Sequence, residues 1–249
     1  MIFLRSLLFQ VLLYVWTAFL CPLTIPVFFG PYRWAVGVTR LWLKGCMTLL
    51  RVCCNLRFEV RGTERLPDGP FFIAAKHQSM WDTMVFHLLL SDPAYILKQE
   101  LLRIPVYGWF LRRHRMIAID RAGGTRALKG MTAAAQECVN EGRTLIIFPE
   151  GTRMPPGKTG TYHAGAAFLY SSLNIPVVPV ALNSGLFWGK LQFLKMPGTI
   201  TLEFLPPLEP GQDRRQFTRL LRERIEEASE RLRLEALERF PIVRNLQRR

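Results

Sequence analysis

A histidine and an aspartate five positions apart, His77 and Asp82, stand in the string Lys76-His77-Gln78-Ser79-Met80-Trp81-Asp82, directly after the apolar run 71–75. If that run is a strand and Trp81 opens a helix, the chain folds back and the two side chains can hydrogen-bond. The carboxylate would fix the imidazole tautomer and stabilise its cation, leaving the other ring nitrogen free as a general base. Taken alone the string carries little weight, since this spacing arises often by chance.

A second string, Phe148-Pro149-Glu150-Gly151-Thr152-Arg153, follows the apolar run 145–148. Proline and glycine demand a turn there. The turn would present a carboxylate and a guanidinium at the end of a strand, and a planar guanidinium fork suits a phosphate. An ordinary surface turn with an ion pair is the alternative for this string by itself.

The remaining histidines compete poorly. His87 lies in a leucine-rich stretch and reads as a packed side chain. His114, within Arg112-Arg113-His114-Arg115, reads as part of a solvated basic face, and His163 opens a helix close to the second string. The cysteines are Cys21, Cys46, Cys53, Cys54 and Cys138, an odd number with no CxxC pair. Neither a disulfide framework nor a zinc site is expected; they read as small buried apolar groups in a reducing compartment.

Short apolar runs at 71–75, 94–97, 116–119, 145–148 and 177–182 read as buried strands, with 198–204 as a further one. Helical stretches fall at 81–90, 125–140 and 164–172. Asp213 can cap a last helix through Arg239, with Phe217, Leu220, Leu221, Ile225 and Leu232 on one side. The alternation predicts an α/β domain over 57–249, a mixed sheet flanked by helices.

Residues 1–56 differ in character. Residues 6–32 hold 27 positions without a charge, long enough to span a bilayer core of about 30 Å if helical. Pro22 and Pro26 interrupt the run. A cleaved signal peptide is the alternative, though no small-x-small cleavage site precedes the prolines. Arg33, Arg40, Lys44 and Arg51 follow and fall within about 40° of one helix face. That basic stripe on an apolar helix suits the headgroup region of an anionic leaflet; a helix packed on the globular domain with a solvated stripe is the other reading. The expected arrangement is a helix, a proline-broken turn and an interfacial helix, together a membrane-anchoring hairpin.

The formal net charge of +14 calls for an anionic partner. Residues 1–58 carry six basic side chains and no acid, and residues 98–129 carry eight against Glu100 and Asp120. One cluster adjoins the membrane-like segment and the other a chemical motif. Basic residues interleaved with exposed aromatics, which a nucleic-acid binder would need, are not found.

Together the strings resemble the glycerolipid acyltransferase family, the group of 1-acylglycerol-3-phosphate acyltransferases. Four blocks in order carry the resemblance over about 60–205. They are His77 to Asp82; Met116-Ile117-Ala118-Ile119-Asp120-Arg121; Phe148 to Arg153; and Ile175-Pro176-Val177-Val178-Pro179-Val180-Ala181-Leu182. Lys98-Gln99-Glu100-Leu101 resembles the lysine-containing segment between the first two blocks. Lys76 departs from the pattern, where asparagine commonly precedes the histidine, and is expected to alter local charge only.

The resemblance implies acyl transfer from acyl-CoA or acyl-acyl-carrier-protein to the free hydroxyl of lysophosphatidic acid, making phosphatidic acid for phospholipid biosynthesis. It implies His77 as general base and Asp82 as its orienting partner. Glu150, Gly151, Thr152, Arg153, Arg121 and Lys98 would arrange the glycerol phosphate, and Pro179 would stand on the acyl-donor side. No metal, cofactor or covalent acyl-enzyme is implied. Membrane phospholipids are the expected surroundings, in a bacterial inner membrane, with the site facing the cytoplasm where both carriers are found. Another lysolipid acceptor stays open. A hydrolase lacks its GxSxG elbow here, and a basic membrane-surface binding protein would have no use for His77.

Overall fold

The computed structural model describes residues 1–120 and 122–247. The chain begins with two long helices, α1 (Ile2–Phe29) and α2 (Tyr32–Cys54). They run antiparallel, tied by Arg5 Nε to Cys53 O at 3.0 Å and by Trp16 Nε1 to Trp42 O at 3.0 Å. Gly45 makes the crossing possible, since a Cβ there would lie 2.2 Å from the Trp16 indole nitrogen.

The expected break at Pro22 and Pro26 does not occur, and α1 passes through both. Each proline removes the N–H that would bond the carbonyl four residues earlier, and the helix continues without it. Thr24 Oγ1 donates to Cys21 O at 2.6 Å. The helix ends at Gly30, held extended ahead of Pro31, because the residue before a proline is pushed out of the helical region. Of this pair, α1 is long and apolar enough to cross a membrane; only 11% of its apolar window is buried.

The alternating part follows: β1 (Leu56–Arg61), β2 (Phe72–Ala75), α3 (Trp81–Leu89), β3 (Pro93–Lys98), α4 (Tyr107–Arg113), β4 (Ile117–Ile119), α5 (Gly124–Asn140), β5 (Thr144–Ile147), α6 (Ala164–Leu173), β6 (Val177–Leu182), β7 (Gly198–Phe204), α7 (Arg214–Arg239) and α8 (Pro241–Gln247). Asp213 caps α7 through the backbone N–H groups of Arg215 and Gln216. The seven strands form one mixed sheet in the order β1-β7-β6-β2-β5-β3-β4. Within it β6 and β7 are antiparallel, and the other neighbouring pairs are parallel.

Alternation along the strands assigns the helices to faces. Ile73, Ala75, Ile146, Val178 and Val180 pack with side chains of α2 and α3. Phe72, Ala74, Leu145, Ile147 and Val177 pack with α5, α6 and α7. The N-terminal pair shares this first core, since Phe9, Leu43, Cys46 and Leu50 are buried in it. A fully buried side chain such as Ile73 or Phe72 contributes about 1.5–3 kcal/mol relative to exposure.

Arg40 leaves the expected basic stripe. Its Nε donates to His87 O at 3.2 Å and its Nη2 to Leu90 O at 2.7 Å and Ser91 O at 2.9 Å, closing the C-terminus of α3. Arg33, Lys44 and Arg51 remain exposed.

Parallel pairing of β6, β2, β5, β3 and β4 has one consequence for chemistry. All five strands end on the same edge of the sheet, so the segments that follow them meet there. In open α/β sheets that carboxyl edge is where ligands bind.

Candidate active site

His77 follows β2 by two residues, and Asp82 is the second residue of α3. Asp82 Oδ2 accepts from His77 Nδ1 at 3.0 Å, from Gln78 N at 2.6 Å and from Ser79 N at 2.8 Å. Its Oδ1 accepts from Ser184 Oγ at 2.5 Å, and the whole side chain is buried. Two backbone donors and a hydroxyl therefore fix the carboxylate before the imidazole meets it. An acceptor at Nδ1 assigns the ring proton to that nitrogen and leaves Nε2 as the base. Nε2 has no partner among the described residues, and the His77 side chain keeps 14% of its surface exposed. Phe148 stacks on the ring at 4.1 Å and 19°.

The second string leaves β5 through a tight turn, Gly151 N donating to Phe148 O at 2.9 Å, with Gly151 at φ +64°. A side chain there would be strained. Met154 N then donates to His77 O at 2.8 Å, which fastens the turn to the dyad. Between these points Thr152 is exposed and Arg153 half-buried. Arg153 makes no hydrogen bond or ion pair among the described residues, so its fork is available.

Glu150, expected to meet the glycerol phosphate, turns inward instead. Its Oε1 accepts from Lys76 Nζ and from Gly160 N, both at 2.8 Å, and the side chains of Lys76 and Glu150 are 1% and 0% exposed. Lys76 is thus a buried hub rather than a local change of surface charge. A buried ammonium needs counter-charges, and Glu150 with Glu226 of α7 supplies them.

The other expected residues scatter along the edge. Lys98 closes β3 and pairs with Glu100 at 2.8 Å in an exposed bridge. Arg121 lies outside the described residues. Pro179 is buried inside β6, opposite Ala74 of β2, and its side chain is covered. Block four reaches the site through Ser184, two residues beyond β6, which the sequence reading does not single out. Nothing in its residue type marks it; only strand order brings it to Asp82. Phe148 reads from sequence as the end of a strand, and Glu226 is not singled out.

His114 corrects another expectation. It is buried, with Thr39 Oγ1 2.9 Å from Nε2 and the His87 ring 5.8 Å away. Burial pushes both imidazoles down to about 4, with Arg143 beside each of them acting in the same sense. His87 is packed as expected, and His163 is exposed at the start of α6, its N–H on Pro149 O. Burial raises the thiols of Cys46 to about 12 and of Cys54 and Cys138 to about 11, which leaves them poor nucleophiles.

A family model described as Acyltransferase matches residues 57–183. The chain is 37% identical over 211 residues to the 1-acyl-sn-glycerol-3-phosphate acyltransferase of Pseudomonas aeruginosa, covering 82% of this chain and 80% of that protein. It is 31% identical over 154 residues to the human 1-acyl-sn-glycerol-3-phosphate acyltransferase beta, covering 61% of this chain and 55% of that protein. The crystal structure of the 1-acyl-sn-glycerophosphate (LPA) acyltransferase PlsC from Thermotoga maritima shares the fold. Its TM-score is 0.72 at 24% identity, over 92% of this chain and 96% of that one.

Proposed function

The chain belongs to the 1-acyl-sn-glycerol-3-phosphate acyltransferase family, and from that premise we propose how its site makes phosphatidic acid from lysophosphatidic acid and a fatty acyl thioester. His77 Nε2 takes the proton of the acceptor's free hydroxyl as its oxygen attacks the thioester carbonyl. The tetrahedral intermediate collapses, the C–S bond breaks, and the imidazolium returns its proton to the departing thiolate. Asp82 holds the tautomer and stabilises the cation. The acyl group passes directly from donor to acceptor.

General-base help of this kind contributes about 10²–10⁴-fold. Holding two substrates at one edge supplies much of the rest. Arg153 takes the acceptor phosphate, with Thr152 next to it in the chain and Lys98 as a further cation at the end of β3; the family resemblance gives Arg121 the same role. Glu150 serves by holding the turn. Donors are acyl-CoA or acyl-acyl-carrier-protein, both cytosolic, so the site faces the cytoplasm from a bacterial inner membrane. Membrane phospholipids, not nucleic acid, form the surroundings.

The observation that carries this reading is the His77–Asp82 pair at 3.0 Å, with Nε2 unpartnered among the described residues, and Arg153 on the turn that Met154 N fastens to His77 O. The test is free-thiol release by the purified protein with lysophosphatidic acid and each donor, repeated with His77→Ala and Asp82→Asn. His77→Ala should abolish turnover while fold and membrane association persist, and Asp82→Asn should be nearly as damaging. Turnover above about one-tenth in the His77 variant would remove it from the base role, given the size of general-base effects. A lysolipid panel with phosphate-free acceptors tests the role given to Arg153.

A further inference from the structure

Lys76 stands one residue before the base, at the end of β2, and its ammonium is buried where three parts of the chain converge. Nζ lies 2.8 Å from Glu150 Oε1, 2.8 Å from both carboxylate oxygens of Glu226, and 3.0 Å from Lys158 O. The strap that follows the second string is stitched to the same hub. Thr159 Oγ1 donates to Glu226 Oε2 at 3.0 Å, Tyr162 OH to Glu226 Oε1 at 2.9 Å, and Gly160 N to Glu150 Oε1 at 2.8 Å. Two backbone bonds close the loop on the dyad side: Met154 N to His77 O at 2.8 Å and His163 N to Pro149 O at 2.9 Å.

We propose that Lys76 and Glu226 are positioning residues that hold the 149–163 loop so that Arg153 meets the acceptor phosphate; this rests on the role given to Arg153 above. Arg153 adjoins Met154, the residue that pins the loop to His77. Most of the other hydrogen bonds that hold the strap run to the hub, beside the Pro149–His163 bond and a longer contact of 3.4 Å from Lys190 Nζ to Thr152 Oγ1. Glu226 belongs to α7, far from the two strings in sequence, so α7 acts on the acceptor site through one carboxylate. The hub formally leaves one carboxylate uncompensated, and Glu150 Oε2 has no partner. Removing the ammonium alone therefore strands one buried carboxylate, Glu150, beside the partly buried Glu226, which is far costlier than removing an ammonium and a carboxylate together.

Lys76→Asn, Glu226→Gln and the double variant, assayed in the full-length membrane-bound enzyme, test this. Lys76→Asn should raise the acceptor KM about tenfold or more, with donor KM and kcat within about threefold of the parent. Glu226→Gln should fall between, and the double variant should return the acceptor KM to within about threefold, the non-additivity expected of directly coupled groups. The double variant has the parent's formal hub charge, so it stays informative if Lys76→Asn alone does not fold. Donor and acceptor KM rising together would make the hub a prop for the fold and overturn the proposal. So would a double variant no better than Lys76→Asn. Arg153→Ala in the same assay separates the two levels: if it leaves the acceptor KM unchanged, the role of Arg153 itself is wrong. If it raises that KM while the hub variants do not, only the positioning claim fails.

Discussion

Ser184 Oγ donates to Asp82 Oδ1 at 2.5 Å across 102 positions of sequence. The bond ties the end of β6 to the first turn of α3 and occupies the carboxylate oxygen that does not face His77. Asp82 Oδ2 already takes two backbone donors, so Ser184 governs the tilt of the carboxylate plane. Losing a hydrogen bond to a charged, buried group costs about 1.5–3 kcal/mol. Ser184→Ala should then lower kcat roughly tenfold with both KM values little changed, measured as thiol release at saturating substrates. An unchanged kcat in a folded variant would mean that the backbone N–H groups alone hold Asp82.

Arg153 gives a prediction of opposite kinetic form. Its guanidinium is half-buried and unpaired among the described residues, and its partner is taken to be the acceptor phosphate. Arg153→Ala should raise the acceptor KM tenfold or more, the equivalent of about 1.5–3 kcal/mol for a charge-assisted contact. Arg153→Lys should recover only part, because the planar fork is lost. A raised donor KM with an unchanged acceptor KM would put Arg153 on the other substrate.

What could be read in the sequence was local. His77 and Asp82 lie five apart, and the turn after β5 needs only proline and glycine, so both strings announce themselves. The buried strands β2, β5 and β6 also read directly, as unbroken apolar runs. β1 did not, because it is an edge strand with Arg57, Glu59 and Arg61 alternating along it. Ser184 and Glu226 were invisible for a different reason: their partners, Asp82 and Lys76, are set by strand order and by the docking of α7. Lys76 stands out in the sequence as a departure, but a lone lysine gives no sign of burial until its two carboxylates are placed. Arg40 and His114 were assigned to surfaces by the charges around them, and tertiary packing overrode that composition.

The pair His87 and His114 makes stability depend on pH. His114 is buried and His87 largely so, both near Arg143, with Arg40 near His87, Arg113 near His114, and Asp92 opposing; desolvation pushes the folded-state imidazoles down to about 4 from an ordinary 6.5. The unfolded chain therefore binds more protons between those values, and stability rises with pH across that window. The contribution is present above about 6.5 and is lost progressively as pH falls toward 4. Denaturant midpoints at pH 7 and pH 5 should differ clearly in the parent. His114→Gln, which keeps a polar partner for Thr39, should reduce the difference. Equal midpoints in the parent would show that these imidazoles titrate normally.

The last prediction concerns the face of α2. Arg33, Lys44 and Arg51 stay exposed on one side of the helix, while Arg40 is spent on the carbonyls of His87, Leu90 and Ser91. The neighbouring helix α1 exposes Phe3, Leu7, Tyr14, Val15 and Phe19. If this side rests on an anionic leaflet, each free cation contributes about 1 kcal/mol near the surface. Changing the three to glutamine should then weaken partitioning of the full chain into anionic vesicles by about 3 kcal/mol at most, with partitioning into neutral vesicles unchanged. High salt should act on the parent as the substitutions do, because surface charge is screened within about 10 Å at 0.1 M. Arg40→Gln should behave differently, loosening the end of α3 and lowering Tm without altering the preference for anionic lipid. A triple variant that keeps the parent's ratio of anionic to neutral binding would leave these cations facing water. Attachment would then rest on the apolar surface of α1 alone.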